Sequence, residues 1–493
     1  MRAALNINLY RSLGTINPSI YGNFAEHLGR CVYGGIWVGP RSSIPNEGGI
    51  RTDVAAALKE VGLPVLRWPG GCFADNYHWQ WGVGSGGERR PRHNLWWAQP
   101  EPNEFGTDEF IRLCRLVGCE PYICLNVGSG TVEEALGWVE YCNSAQDTYY
   151  TRLRRANGGA EPYGVRFWGV GNENWGCGGS MTPEQYAYEY RKYATYLRAM
   201  DGTVPGGLFL IACGFHDDWN FRFLREMRGA THLLDAFSLH LYVGGYSRSA
   251  TAFTEEEHYR LMGDVLYMES EVARACHLAR YYSSFGRQIY VVVDEWGTWY
   301  PEATVPAGLF QQNALRDALF TACALNMFNR HCERVYMTNM AQTVNVLQSL
   351  ILTRGSKMVL TPTYWTYHLF RGHMGGTAVA ADVDAPAVQD NQGRSVPVLS
   401  ASASVDGDGR RIFLTLVNIH LEDALSVDVE LVGAKAGGEV QGRVLTAPDV
   451  RAHNTFEAPK RVGPKNRRFA AVGTGWRLRL PPASVVALAV PLS

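Results

Sequence analysis

Apolar and polar positions follow two alternating patterns through the first three-quarters of the chain. Short apolar runs of strand length recur eight times, and several of the stretches between them place apolar residues at helical spacing. The runs are Ser19–Phe24, Val65–Trp68, Pro121–Asn126, Val165–Gly171, Phe209–Cys213, Phe237–Tyr242, Ile289–Val293 and Val335–Asn339. The helical stretches include Thr107–Val117, Val132–Cys142, Pro183–Met200 and Gln311–Phe328. Eight strands that alternate with helices predict an α/β fold, the (β/α)8 TIM barrel.

A doubly wound open sheet is the alternative arrangement of the same elements. That fold places a Gly-x-Gly-x-x-Gly phosphate loop after an early strand. No such loop follows the early strands of this chain, so the closed barrel is favoured.

The hydrophobic pattern changes near Gly375. Helical spacing gives way to short alternating runs that are separated by turn residues, such as Asp406–Gly409. The runs are Val398–Val405, Arg411–Val417, Leu425–Leu431, Glu439–Leu445, Trp476–Leu480 and Ser484–Val490. They predict a C-terminal antiparallel β-sandwich of jelly-roll-like type, which the strand-like stretch Ala3–Tyr10 could join. We expect a catalytic barrel over residues 15–374 and a sandwich domain made of residues 1–14 and 375–493.

Composition and charge narrow the function classes. Lys and Arg number 46 against 47 Asp and Glu, so the chain offers no basic field for nucleic acid or an anionic membrane. The short acidic run Glu255–Glu257 is expected to be a solvated face. The N-terminus lacks the apolar core of a secretory signal, and no window is long enough to cross a bilayer. We therefore expect a cytoplasmic protein without nucleic-acid or membrane partners.

The eleven cysteines show no Cys-x-x-Cys spacing. An odd number without such pairs predicts neither a disulfide framework nor a zinc site. Most are expected to be reduced, buried thiols that pack as small apolar residues. The histidines form no ligand cluster of known spacing, so no metal is expected.

Two glutamates follow apolar runs, where a charge must leave water and so needs a reason to be there. Glu173 ends the predicted fourth barrel strand within Gly-Asn-Glu-Asn-Trp, and Glu295 ends the seventh within Asp-Glu-Trp-Gly. These strands lie across the barrel mouth from each other, and catalytic groups collect at that mouth. A lone glutamate there is typical of a salt bridge, but the pair favours glycosidic cleavage by an acid and a nucleophile. A separation of about 5 Å would mean retention and about 6.5–9.5 Å inversion, which the sequence leaves open.

Longer motifs allow the chain to be compared with a known protein family. They are GNFAEHLGRCVYGGIWVG (22–39), LRWPGGCFADNYHW (66–79), NVGSGT (126–131), WGVGNENWGCGG (168–179), SLHLY (238–242), VDEWGTWY (293–300) and AQTVNVLQSLILT (341–353). In these stretches the chain resembles the α-L-arabinofuranosidases of glycoside hydrolase family 51. The resemblance implies a retaining, exo-acting enzyme that releases terminal non-reducing arabinofuranose from arabinoxylan or arabinan oligosaccharides. It also implies that no cofactor is needed and that the protein forms a homo-oligomer, often a hexamer.

The same resemblance implies roles for residues at the strand ends. Glu173 matches the acid/base of the family, and Glu295 matches its nucleophile. Glu26 matches an acidic residue that binds sugar hydroxyls, and Asn172 matches a residue that contacts the 2-hydroxyl. Arg67 would lie near the nucleophile and keep it ionised, because a nearby cation lowers the pKa of a carboxylate.

Other positions would line the pocket or depart from the family pattern. His240 and Tyr242 match residues of the pocket, with Tyr242 in reach of the nucleophile. Cys72 stands where an Asn often contacts the sugar. Lys357–Leu360 stands where other members carry a sugar-binding Gln, and Gln348 is our candidate for that part.

Tryptophans could hold the rest of the substrate, because aromatic faces stack on the C–H surfaces of sugars. Trp299 is expected to bind substrate, and Trp96 and Trp97 are candidates for an exposed platform in a polar loop. Most of the other tryptophans are expected to pack within the barrel and its helices.

Two other functions remain open from the sequence. The same fold and mechanism would also serve a β-xylosidase, a galactofuranosidase or an endo-β-glucanase. The other hypothesis is a non-catalytic carbohydrate-binding protein whose barrel has lost its activity. The presence of both Glu173 and Glu295 disfavours it.

Overall fold

The computed structural model covers residues 1–493 and contains 25 strands and nine α-helices. The strands are β1 (Arg2–Thr15), β2 (Gly22–Phe24), β3 (Asn46–Glu47), β4 (Ile50–Arg51), β5 (Val65–Trp68), β6 (Arg92–His93), β7 (Pro100–Glu101), β8 (Glu120–Leu125), β9 (Phe167–Val170), β10 (Phe209–Ala212), β11 (Ala236–Val243), β12 (Tyr290–Thr298), β13 (Val335–Ala341), β14 (Ile351–Arg354), β15 (Lys357–Leu360), β16 (Thr377–Asp384), β17 (Ala387–Gln389), β18 (Ser395–Pro397), β19 (Leu399–Val405), β20 (Arg411–Asn418), β21 (Leu425–Val432), β22 (Ala436–Thr446), β23 (Lys465–Gly473), β24 (Gly475–Leu480) and β25 (Ser484–Pro491). The helices are α1 (Thr52–Val61), α2 (Thr107–Val117), α3 (Val132–Asn143), α4 (Tyr149–Ala156), α5 (Pro183–Arg198), α6 (Asp217–Met227), α7 (Glu255–Ser283), α8 (Leu315–Arg330) and α9 (Pro362–Phe370).

Eight parallel strands close into a barrel in the order β2, β5, β8, β9, β10, β11, β12 and β13. Each corresponds to one of the eight apolar runs, so the prediction of a TIM barrel is confirmed. The four predicted helices are also present. Helix α8 begins at Leu315, four residues later than predicted, because Ala314 forms a β-bridge with His453 of the C-terminal domain instead of a helical turn.

Alternation along the strands explains where polar groups enter the barrel. Val65 and Val292 belong to a separate cluster of ten buried apolar residues contributed mainly by the barrel strands. Because side chains on one face of a strand recur every second residue, Arg67 and Asp294 follow on the same face, one step nearer the C-terminal end. The apolar residues fill the lower part of the barrel, and the charged residues that follow them lie at its mouth.

The C-terminal domain is a β-sandwich built on a nine-stranded sheet in the order β23, β22, β25, β20, β19, β16, β1, β21 and β24. Its pairs are antiparallel except β1 with β21, which is parallel. The N-terminal strand therefore lies between two C-terminal strands. No hairpin joins β1 to β21, so no turn imposes the antiparallel direction that we expected throughout. Within residues 375–493, four strands were not predicted, namely β16, β17, β18 and β23.

A segment of the sandwich domain, residues 447–463, docks on the barrel, and we call it the docking arm. The Leu315 amide donates to the Ala452 carbonyl at 2.9 Å, and the Arg316 amide donates to the Val450 carbonyl at 3.1 Å. The arm thus holds the start of α8, which follows a loop on the catalytic side of the barrel. None of the helices has the length and apolar content needed to cross a membrane.

Candidate active site

Three titratable side chains meet at the C-terminal ends of the barrel strands. Glu295 lies in β12, His240 lies in β11, and Glu173 lies in the turn after β9. One side-chain N or O atom of each lies within 4.8 Å of the other two. Nδ1 of His240 is 2.7 Å from Oε1 of Glu173 and 3.7 Å from Oε2 of Glu295. The two glutamates singled out in the sequence therefore share one pocket.

The surroundings of Glu295 favour its ionised form. Arg67 donates to Oε1 at 2.7 Å, and the Tyr242 hydroxyl donates to Oε2 at 2.7 Å. Burial alone would raise the pKa of this carboxyl, but His240, Arg67 and the Tyr242 hydroxyl hold the pKa below its ordinary value. Burial and the adjacent carboxylate raise the pKa of Tyr242, so the hydroxyl keeps the proton that it donates. An ionised carboxylate is the form that a nucleophile requires.

Glu173 is presented by a tight turn. Its φ angle is +43°, in the left-handed region that few residues other than glycine adopt. Its carbonyl oxygen accepts from the amides of Gly176 at 2.7 Å and Gly178 at 3.0 Å, which closes the turn. The preceding side chain, Asn172, accepts from Arg67 at 2.5 Å. One guanidinium therefore orients both Glu295 and the residue before Glu173.

Glu26, just after β2, is a third carboxylate at the same place, and it is buried. It accepts from the Phe73 backbone amide at 3.1 Å and from the Trp97 indole at 2.9 Å. A Cβ atom at Gly71 would lie 3.1 Å from Glu295 and 3.2 Å from Glu26, so glycine lets the backbone pass against both carboxylates. Burial, with a further contribution from Glu295, raises the pKa of Glu26 to about 7. The fixed orientation suits the sugar-binding role expected from the sequence.

The structure corrects the expectation for Cys72. A disulfide joins it to Cys177, with Cα atoms 5.6 Å apart, although the cysteine spacing predicted no disulfide. The partners are 105 residues apart in loops after different strands, so spacing rules could not pair them. Cys72 does border the pocket, with its sulfur 3.8 Å from Oε2 of Glu173, but a disulfide sulfur has no proton to donate. The other nine cysteines are free thiols, and eight of them are buried, as predicted.

The structure does not bring Gln348 to the sugar pocket. Its amide oxygen accepts from the Thr298 backbone amide at 3.0 Å, and its amide nitrogen donates to the Asp317 carbonyl at 3.1 Å. It is fully buried, and its amide is committed to protein partners. Gln342, which the sequence analysis missed, reaches the pocket instead and donates to Glu26 at 3.2 Å. Gln342 directly follows the eighth barrel strand, so reading that strand's end would have found it.

Asp75 is a buried carboxylate that the sequence analysis also missed. Oδ2 accepts from the Asn172 backbone amide at 2.7 Å and the Asn174 side chain at 3.2 Å. Oδ1 accepts from the backbone amides of Val127 at 2.6 Å and Gly128 at 2.7 Å. Burial raises the pKa of Asp75 to about 7. Asp75 thus links the loops after the third and fourth barrel strands, and its only sequence signal is a carboxylate within the motif LRWPGGCFADNYHW (66–79).

Aromatic residues form a cleft beside the carboxylates. The cleft has a volume of about 390 Å³ and is lined by Tyr242 and Trp299, whose ring centroids lie 5.4 Å apart. Trp97, a candidate for an exposed platform, is half-buried, and its indole is bonded to Glu26. Trp96 is 41% exposed, so it is the member of that pair with a surface open to solvent.

Opposed carboxylates at the mouth of a TIM barrel, with one held as an anion, are the arrangement that a glycoside hydrolase uses. Comparison with known proteins is more specific. Residues 57–258 match the family model of the α-L-arabinofuranosidase 1 domain, and residues 294–484 match that of the α-L-arabinofuranosidase C-terminal domain. The intracellular exo-α-L-arabinofuranosidase of Bacteroides ovatus is 42% identical over 99% of this chain and 95% of its own.

Solved structures agree with this assignment over the whole chain. The family 51 arabinofuranosidase of Xanthomonas axonopodis pv. citri superposes with a TM-score of 0.93 at 37% identity, covering 99% of this chain and all of its own. The α-L-arabinofuranosidase of Thermotoga maritima, solved with arabinose, gives 0.86 at 35% identity and the same coverage. The chain belongs to the α-L-arabinofuranosidases of glycoside hydrolase family 51, as its motifs implied.

Proposed function

We propose that this enzyme removes terminal non-reducing α-L-arabinofuranosyl residues by a retaining double displacement, with Glu295 as nucleophile and Glu173 as acid/base. The observation that carries the proposal is the short distance between the carboxylates, which bring oxygens within 4.8 Å of each other. Retaining glycosidases hold their carboxyl groups about 5 Å apart, whereas inverting enzymes leave about 6.5–9.5 Å to admit a water molecule.

In the first step, a carboxylate oxygen of Glu295 attacks the anomeric carbon. The bond from that carbon to the aglycone oxygen breaks, and Glu173 gives its proton to the departing oxygen. Arg67 and Tyr242 hold Glu295 in place for the attack through their two 2.7 Å hydrogen bonds. The products are the released alcohol and an arabinosyl ester of Glu295.

In the second step, the Glu173 carboxylate takes a proton from water as the water oxygen attacks the anomeric carbon. The ester bond breaks and returns Glu295 to its ionised form, so two inversions give net retention. Glu26 and Asn172 are the groups expected to hold sugar hydroxyls. A contact to the 2-hydroxyl strengthens as oxocarbenium character develops, which lowers the barrier.

The substrate assignment draws on relatives. The Bacteroides ovatus relative is named as an intracellular exo-acting enzyme, and the Thermotoga maritima relative was solved with arabinose. We propose that this enzyme likewise acts inside the cell, on arabinoxylan or arabinan oligosaccharides. Incubation with both oligosaccharide classes should release arabinose as the only monosaccharide, and shortened backbone fragments would contradict exo action.

The test compares hydrolysis of p-nitrophenyl α-L-arabinofuranoside by wild type, Glu295→Ala and Glu173→Ala. Each variant should lose about 10³-fold or more in kcat. Azide should restore turnover in both, because it replaces the missing nucleophile or the unactivated water. The azide product should have inverted configuration from Glu295→Ala and retained configuration from Glu173→Ala, as two displacements require.

Glu161→Ala is the matched control, because Glu161 is exposed and lies outside the barrel mouth. It should keep the wild-type rate. Proton NMR of the wild-type reaction should show the α-anomer of arabinose first, and initial β-anomer would exclude retention. Cleavage of a xyloside or a galactofuranoside in preference to the arabinofuranoside would favour the alternative sugar specificities.

A further inference from the structure

The Cys72–Cys177 disulfide lies against the proposed acid/base. The sulfur of Cys72 is 3.8 Å and that of Cys177 is 3.6 Å from the same oxygen, Oε2 of Glu173. All three side chains are partly exposed, unlike eight of the nine free cysteines. A small reductant can therefore reach the disulfide from the pocket mouth.

Reduction would change the chemistry of this side of the pocket. A phosphine attacks one sulfur, the S–S bond breaks, and water supplies the oxygen of the phosphine oxide and the two protons of the new thiols. Two electrons pass from phosphorus to sulfur. The result is two thiols and one carboxylate that converge on one point, and thiols become strong metal ligands when they lose their protons.

The spacing of these groups fits a tetrahedral zinc ion. Zinc binds thiolate sulfur at about 2.3 Å and carboxylate oxygen at about 2.1 Å, so a sulfur and an oxygen on one zinc lie about 3.6 Å apart. The two sulfur-to-oxygen distances here are 3.6 Å and 3.8 Å. Rotation of the two side chains can separate the freed sulfurs while their Cα atoms stay 5.6 Å apart. The fourth position would face the pocket and take a water molecule.

We propose that reduction of Cys72–Cys177 creates a binding site for a thiophilic divalent cation such as Zn²⁺, and that the bound cation inhibits the enzyme by occupying Glu173. Binding releases the two thiol protons to solvent. The inhibition rests on the proposed catalytic role of Glu173, whereas the binding does not. The oxidised enzyme lacks the two thiolates and should be less sensitive to the cation.

The experiment uses full-length enzyme in two forms, as purified and after treatment with a phosphine that is removed by desalting under anaerobic conditions. Thiol titration of the unfolded chain should find nine thiols in the first form and eleven in the second. Zinc chloride is then added, and bound zinc per chain is measured by atomic emission. The reduced form should bind one zinc per chain and be half-inhibited at a zinc concentration at least about tenfold lower than the oxidised form. A chelator should restore activity.

Two variants make the result specific. Cys177→Ser removes one ligand and should abolish the difference between the two forms, in zinc content and in inhibition alike. Cys119→Ser removes the other partly exposed cysteine and should behave as wild type. Equal zinc binding by both forms, or unchanged binding by reduced Cys177→Ser, would overturn the site. Zinc bound without inhibition would overturn the inhibitory half, while the azide experiment tests Glu173 separately.

Discussion

Arg67 is fully buried, so its charge has to be balanced inside the barrel. It donates hydrogen bonds to Glu295 and to the side-chain oxygen of Asn172, and it lies 3.8 Å from Asp294. Burial would lower its pKa, but these carboxylates and the nearby Cys124 raise it well above its ordinary value. A cation held in this way gives the pocket a fixed charge that keeps one of its two catalytic candidates ionised.

Substitution of Asp75 tests whether this buried carboxylate positions Glu173. In Asp75→Asn the new amide group must face either Asn172 or the amides of Val127 and Gly128, which all donate. An unsatisfied buried donor costs about 1–3 kcal/mol. Either orientation breaks the link that Asp75 makes between the loop at Val127 and the turn that presents Glu173, so the position of Glu173 is disturbed. We expect kcat on the arabinofuranoside to fall about tenfold or more, with a smaller change in KM, because the misplaced group acts in the chemical step.

The control is Asp108→Asn, which changes a partly buried aspartate on α2. Asp108 accepts only from the hydroxyls of Tyr141 and Tyr163, and hydroxyls can turn to suit an amide. Its kcat should stay near wild type. If Asp75→Asn raised KM and left kcat unchanged, the assignment of Asp75 to the positioning of Glu173 would be refuted.

Among the elements, α7 shows that an exposed acidic run can also fix the start of a helix. The run Glu255–Glu257, expected to be a solvated face, has Glu255 and Glu256 exposed and forms the first turn of this 29-residue helix. Negative side chains are favourable there because they oppose the positive end of the helix dipole. Thr254 accepts from the Glu257 amide at 3.2 Å, and the Glu257 carboxylate accepts from the Thr254 amide at 2.7 Å. This reciprocal capping box fixes the start of the helix.

Thr254→Ala tests this cap. The substitution removes the side-chain acceptor for the Glu257 amide, which should lower the free energy of unfolding by about 1 kcal/mol. Denaturant unfolding measures the change. Ser270→Ala on the exposed face of the same helix is the control and should change stability by less than about 0.5 kcal/mol. Equal effects of the two substitutions would show that the cap contributes nothing.

At the scale of the molecule, two neutral histidines help join the barrel to the sandwich. His258 of α7 bonds to the Ile419 carbonyl at 2.9 Å. His373, after α9, bonds to the hydroxyls of Ser404 at 2.8 Å and Thr415 at 2.9 Å. Burial lowers the pKa of His258 to about 4 and that of His373 to about 3. His373 bonds to the sandwich domain directly before the expected boundary. We therefore propose that the barrel domain ends at residue 374, as expected from the sequence.

These histidines should make the protein sensitive to acid. Below pH about 6.5 the unfolded chain protonates both histidines, while the folded chain does not until about pH 4 and about 3, so stability falls as the pH is lowered. We expect the free energy of unfolding to fall between about pH 7 and about pH 5 by more in wild type than in His258→Gln/His373→Gln.

The comparison must use the difference between the two proteins. Glu26 and Asp75, whose pKa values are raised, contribute with the opposite sign in the same pH range. His232→Gln changes an exposed histidine and should keep the wild-type slope. An unchanged slope in the double variant would contradict the linkage.

The sequence by itself determined the barrel, the two facing glutamates and the helices with strong periodicity. Strand alternation and strand-end chemistry are local signals, because each depends on residues a few positions apart. These signals were enough to select Glu173 and Glu295, whereas the expectation that Arg67 and Tyr242 lie beside Glu295 came from the resemblance to family 51. Strand β23 was missed because its first four residues, Lys465–Arg468, are exposed and polar, so no apolar face marked it.

Only the tertiary structure decided which distant groups meet. Cys72 and Cys177 pair across 105 residues, and Asp75 binds amides from two other loops, because closure of the barrel brings the strand ends to one rim. The same closure brings the side-chain amide of Gln342 to Glu26 and buries the side-chain amide of Gln348 among protein partners. No local pattern distinguishes these two glutamines. Local periodicity fixes which way a side chain points, but its partners depend on the three-dimensional path of the whole chain.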